Sequence, residues 1–167
     1  VITKLPLVSE NDNRKRGEHT MSTARTPNPD AAPETTRGEI VHRAESWLRQ
    51  PVPFNGSRFH HNEHGIYRAD DAGYVSMAWG LPGIPPDRHG GLDLAGLTAI
   101  SRPIPVADLL AGDLVVADTR VALFHEWADA ARTACWVFEQ APGTGTVHRL
   151  VQHHTRLEAR RHPRLAR

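Results

Sequence analysis

A single cysteine, Cys135, occurs in 167 residues, so neither an intrachain disulfide nor an all-cysteine metal site is available. Lysine is nearly as scarce, since Lys4 and Lys15 both precede residue 20. The body of the chain thus has no lysine for a Walker-type phosphate loop or for a Schiff base. No run of about 18 apolar residues occurs, which excludes a helical membrane span. The first twenty residues lack the apolar centre of a signal peptide, because Pro6 interrupts Leu5, Leu7 and Val8. A cytoplasmic location is the expectation, and Met21 is a plausible alternative start. The patterns GxSxG, CxxC and HExxH are absent, which removes three common enzyme signatures. With a net charge of +1, the whole chain has no general attraction for nucleic acids or membranes.

Hydrophobic residues at 39% and charged residues at 23% are those of one globular domain. The charge is unevenly placed. Residues 21–149 hold 11 Lys and Arg against 15 Asp and Glu, whereas 150–167 hold five Arg against Glu158. Arginines attract phosphate, but this end carries no lysine and no aromatic ring for base stacking. Nucleic acid is therefore not an expected partner.

Pro27, Pro29 and Pro33 mark residues 1–35 as a disordered leader. Thr36 and Glu39 have capping-box spacing, and Ile40, Ala44, Trp47 and Leu48 follow at helical intervals, so a helix is expected over 37–50. A polar loop is expected over 55–69 and a second helix over 72–79, ended by Gly80. Residues 81–105, rich in Pro and Gly, read as irregular with one helical turn at 92–99. Four strands follow at 114–117, 121–127, 134–140 and 146–151, and 153–167 read as an Arg-rich flexible tail. Helices followed by an antiparallel meander give an α+β domain over 36–152.

His60, His61 and His64 beside Glu63 have ligand-type side chains, but Asn62 and Gly65 argue against the helix that would converge them. They are read as a solvated loop, and neither a metal nor a cofactor is expected. Trp47, Trp79, Trp127 and Trp136 fall on apolar faces and read as core residues. Cys135, on a strand, reads as buried packing.

One segment is specific. Residues 67–80, Tyr-Arg-Ala-Asp-Asp-Ala-Gly-Tyr-Val-Ser-Met-Ala-Trp-Gly, resemble the nucleophile motif of the NlpC-type cell-wall peptidases. These are papain-like cysteine peptidases whose actinobacterial members typically read Tyr-Arg-x-Asp-Cys-Ser-Gly-Tyr-Val-Ser-Met-Ala-Trp. Further on, residues 109–114 (Leu-Leu-Ala-Gly-Asp-Leu) look like the family's Leu-x-Pro-Gly-Asp turn, and 121–124 (Val-Ala-Leu-Phe) like its His-Val-Ala-Leu-Phe strand. Residues 138–140 and 145–149 look like its closing strands. The likeness covers 37–152 in order and implies a papain-like fold, with N-terminal helices packed on an antiparallel sheet.

The resemblance also locates where the chemistry differs. The family's thiolate sits at a helix N-terminus, and a histidine on the neighbouring strand shuttles its proton. Here the cysteine position is Asp71, the histidine position is Arg120, and Glu139 lies near the third polar position. Phe54 replaces a tyrosine and Ala72 a serine. Asp is a poor amide nucleophile and Arg releases no proton near neutral pH, so thiol peptidase activity is not expected. Three readings follow for Asp71 and Arg120: a structural ion pair, a pocket for a small polar or peptide-like ligand, or acid–base chemistry with Glu139 on a small amide or acyl metabolite. Tyr67, Arg68 and Asp70, with Phe54 and Ala72, are candidates to line the cleft. The expected partner is a small polar or peptide-like ligand, or another protein.

Overall fold

The structure, a computed structural model, describes residues 34–82, 90–152 and 156–166. The expectations of a disordered leader and of a start at Met21 fall on residues outside that set, although Thr35 is buried and belongs to the folded part. Helix α1 spans Arg37–Arg49. Its capping box is complete: the Thr36 hydroxyl accepts the Glu39 N–H at 3.2 Å and the Glu39 carboxylate accepts the Thr36 N–H at 2.7 Å. Ile40, Ala44 and Trp47 form its buried stripe.

Helix α2, Asp71–Ala78, is buried nearly all round. Asp70 is its N-cap and accepts the Gly73 N–H at 2.7 Å. Gly73 has to lack a side chain, because a Cβ there would lie 1.9 Å from the Arg68 carbonyl oxygen. A short helix α3, Leu94–Ile100, is capped by Asp93.

The sheet has six antiparallel strands in the order β3-β8-β4-β5-β6-β7. They are β3 (Arg102–Ile104), β4 (Leu114–Ala117), β5 (Arg120–Trp127), β6 (Ala134–Ala141), β7 (Gly145–Gln152) and β8 (Glu158–Arg161). One face contributes Leu114, Val116, Val121, Leu123 and Phe138 to the main core, against Ile40, Trp47, Tyr74 and Trp79 from the helices. The opposite face carries a smaller apolar cluster that includes Val115, Phe124, Cys135, Val137 and Ala159. An α+β domain with an antiparallel sheet is therefore present, and β4 to β7 fall where the alternation of the sequence puts them.

Three elements differ from expectation. The loop over 55–69 is a hairpin of β1 (Asn55–Asn62) and β2 (Gly65–Ala69), standing apart from the main sheet. Only Tyr67 and Ala69 of this hairpin are buried, so its sequence carries little apolar alternation to announce strands. Strand β3 lies in the stretch read as irregular. The C-terminal tail is not a flexible appendage over 158–161: β8 sits inside the sheet, hydrogen-bonded to both β3 and β4. Its arginines are consumed internally. Arg161 binds the fully buried Asp113 carboxylate at 2.9 and 2.7 Å, with Arg37 on the same carboxylate at 3.1 Å. A buried carboxylate with two guanidiniums and the Leu110 N–H is compensated on both oxygens. Among the described residues no helix is long and apolar enough to cross a membrane.

Candidate functional site

Asp71 and Arg120 come to the same junction, where the first turn of α2 meets the first residues of β5. They do not form an ion pair: among the described residues no Asp71–Arg120 contact falls within 4.0 Å. Asp71 instead accepts the backbone N–H of Val121 at 3.1 Å. A carboxylate in the first turn of a helix also faces the positive end of its dipole. The side chain thus ties the helix to the sheet by a bond that needs an acceptor, not a base.

Arg120 has other partners. It donates to the Gln140 carbonyl oxygen at 3.1 Å, and its guanidinium lies 5.5 Å from the centre of the Phe54 ring. No carboxylate among the described residues lies within 4.0 Å of it. Phe54 belongs to a small crevice of about 310 Å³ between residues 51–54 and 143–145.

Arg120 also lines a second concavity, a groove of about 710 Å³. This groove runs over the sheet face turned away from the helices and reaches the turns of the β4–β5 and β6–β7 hairpins. Val115, Ala122, Val137, Val151 and Leu157 give it an apolar floor, and Arg120, Glu139 and Arg149 give it charge. Glu139 is held by Arg149 at 2.7 Å. Alternation on β6 explains the split. Val137 and Glu139 share the groove face, while Phe138 and Gln140 point towards the helices. The structure therefore places Arg120 and Glu139 in one groove and leaves Asp71 outside its lining.

The other candidates are mostly occupied by the fold. Tyr67 is buried and donates its hydroxyl to the Leu81 carbonyl at 2.6 Å, and burial raises its pKa. Arg68 pairs with Asp70 and donates to the Leu92 carbonyl at 3.1 Å, which locks the residues before α2. Asp70 is the cap, and Ala72 is buried. Cys135 is buried, and its surroundings push the thiol's pKa up, away from a nucleophilic thiolate. His60 packs edge-on to Trp47 and His64 edge-on to His42, so these rings brace the hairpin against α1 where a solvated loop was expected. Among the described residues no group of three or more His, Cys, Asp or Glu gathers for a metal.

Sequence reasoning missed two residues here. Gln140 is fully buried; its amide donates to the Val52 and Ala69 carbonyls at 3.0 and 3.1 Å and accepts the Thr146 hydroxyl at 2.7 Å. It fixes the backbone leading to Phe54 and the end of β2. Arg149 neutralises Glu139. A polar residue in phase with Phe138 on an apolar strand face was the available signal for Gln140; Arg149 had none, because its cross-strand neighbours follow only from the register. No family model, curated protein or solved structure matches this chain.

Proposed function

We propose that the chain is a non-cleaving domain of NlpC-like, papain-type architecture that holds an acidic, peptide-like ligand at Arg120. The observation that carries this reading is an unneutralised, half-exposed guanidinium at the rim of a groove with an apolar floor. A guanidinium presents forked donors to a carboxylate, and the Phe54 ring and the Gln140 carbonyl hold it in place before any ligand arrives. The floor accommodates an aliphatic side chain, so a peptide with a free carboxylate and small apolar residues fits the chemistry. Kinship with the NlpC-type peptidases is supported by the motif over 67–80 and by the meeting of the Asp71 and Arg120 positions at the α2–β5 junction.

Hydrolysis has less support. The thiol route lacks its sulfur and its imidazole. The acid–base alternative needs Asp71 and Glu139 as free carboxylates, whereas one accepts the Val121 N–H and the other is held by Arg149.

The test is a titration of the full chain with short Ala-containing peptides, peptidoglycan stem peptides among them, as free acids and as C-terminal amides. Nuclear magnetic resonance follows the Arg120 side chain and mass spectrometry follows the peptides. The free acids should bind and remain intact. Amidation or Arg120→Ala should weaken binding by about tenfold or more, since a hydrogen bond to a charged group contributes roughly 1.5–3 kcal/mol. Equal binding by the variant, or peptide turnover abolished by Asp71→Ala, would replace this reading with another.

A further inference from the structure

A second constellation lies on the helix-side face of the sheet, away from the groove, and depends on none of the groove's residues. His125 follows Phe124 at a bulge in β5, where the register with β6 shifts between Phe124 and Glu126. Bulges re-aim a side chain. Here the His125 ring reaches across β6 to β7, where His148 stands opposite Phe138. The Nδ1 atom of His125 and the Nε2 atom of His148 are 3.0 Å apart. The His148 ring is also fixed in orientation, stacked on Phe138 at 4.6 Å and 29° and on Trp136 at 5.0 Å and 25°. His148 is exposed and His125 half-exposed. The carboxylates of Glu45 on α1 and Glu126 on β5 lie near enough to act on His148 electrostatically.

We propose that His125 and His148 form a two-histidine site for a divalent transition-metal ion of the copper(II) or nickel(II) class, completed by water. Two neutral imidazoles with facing nitrogens have two ways of relieving lone-pair repulsion: one shared hydrogen bond, or one shared cation. With metal–nitrogen bonds of about 2.0 Å, a separation of 3.0 Å corresponds to an angle of about 95° at the ion. That is the angle between adjacent ligands of a square or tetragonal site, the preference of Cu(II) and Ni(II). A tetrahedral zinc site needs the nitrogens further apart, at about 3.3 Å. The ring whose facing nitrogen carries the hydrogen moves it to its other nitrogen, so both lone pairs turn to the ion without net change in imidazole protonation. Among the described residues two protein ligands converge, so water fills the remaining positions, and the negative field of Glu45 and Glu126 favours the cation.

The experiment uses the full chain with Cu(II), Ni(II) and Zn(II) salts, read by calorimetry and, for copper, by pulsed electron paramagnetic resonance, which counts bound imidazoles. Copper is expected to bind one to one with two imidazoles, more tightly than nickel, and at least about tenfold more tightly than zinc. His125→Gln and His148→Gln should each lower copper affinity by about tenfold or more, while His61→Gln, on the exposed hairpin, should leave it unchanged. The resonance measurement on the unaltered chain does not depend on either variant folding. A spectrum with one imidazole or none, or copper affinity unaltered in both folded variants, would leave these rings as a hydrogen-bonded pair only and overturn the proposal. Peptide binding at Arg120 is a separate readout, so failure of one leaves the other standing.

Discussion

Asp71 has two polar roles open to it, as an acceptor and as a charge, and they separate by substitution. Its carboxylate accepts the Val121 N–H, a part-buried bond between helix and sheet. An asparagine retains an oxygen acceptor at that place; an alanine leaves a backbone donor without one, which costs roughly 1–3 kcal/mol. Asp71→Ala should therefore lower the urea midpoint clearly, and Asp71→Asn should lower it by less than half as much. Equal losses would mean that the negative charge matters more than the bond. Position 71 was recognisable in the sequence as the first-turn acid of a helix, since Asp70, Gly73 and the apolar run after them fix the helix start. Its partner was not. The expectation of an Asp71–Arg120 ion pair followed from opposite charges at adjoining positions, but Arg120 has a longer reach and a better seat between Phe54 and the Gln140 carbonyl.

At the scale of elements, legibility followed apolar alternation. Strands β4 to β6 have one face in the main core and were visible for that reason; α1 and α2 announced themselves through their caps. The β1–β2 hairpin and β8 were hidden because their side chains are mostly polar and their stability comes from specific hydrogen bonds. Strand β8 is the sharpest instance. Arg160 donates to the Ser101 hydroxyl at 2.8 Å and to the Thr98 and Ser101 carbonyls at 2.9 and 2.8 Å, while Arg161 holds the buried Asp113. Composition shows those arginines as a basic tail, although they are internal ties. A chain ended after Gln152 should consequently lose its cooperative thermal transition. Arg161→Met alone should destabilise by about 3–5 kcal/mol, because it leaves a buried carboxylate undercompensated. A truncated chain melting at the temperature of the full one would return residues 153–167 to the status of an appendage.

The molecule as a whole closes over His162, which is 1% exposed and packs edge-on to Trp79 at 5.0 Å between ring centres. Its Nδ1 accepts the Arg164 N–H at 3.0 Å, which requires the ring to be unprotonated on that side. Burial, with Arg43 and Arg164 nearby, pushes its pKa down to about 4. In the unfolded chain a histidine titrates near 6.5. Between those values the unfolded chain holds a proton that the folded chain refuses, so stability falls as the pH drops from about 6.5 to about 4 and is fully present above that window. The difference corresponds to about 3 kcal/mol, or roughly 6–12 °C in melting temperature for a chain of this size. His60, His64 and His148 are also shifted down, chiefly by burial, and act in the same direction. His162→Asn removes the titration while its amide oxygen offers the Arg164 N–H a replacement acceptor. Melting curves between pH 7 and pH 4 should show a much shallower decline for that variant than for the unaltered chain. Parallel declines would assign the acid sensitivity to the partly exposed histidines of the hairpin and of β7, and would mean that the C-terminal closure tolerates a charged imidazole.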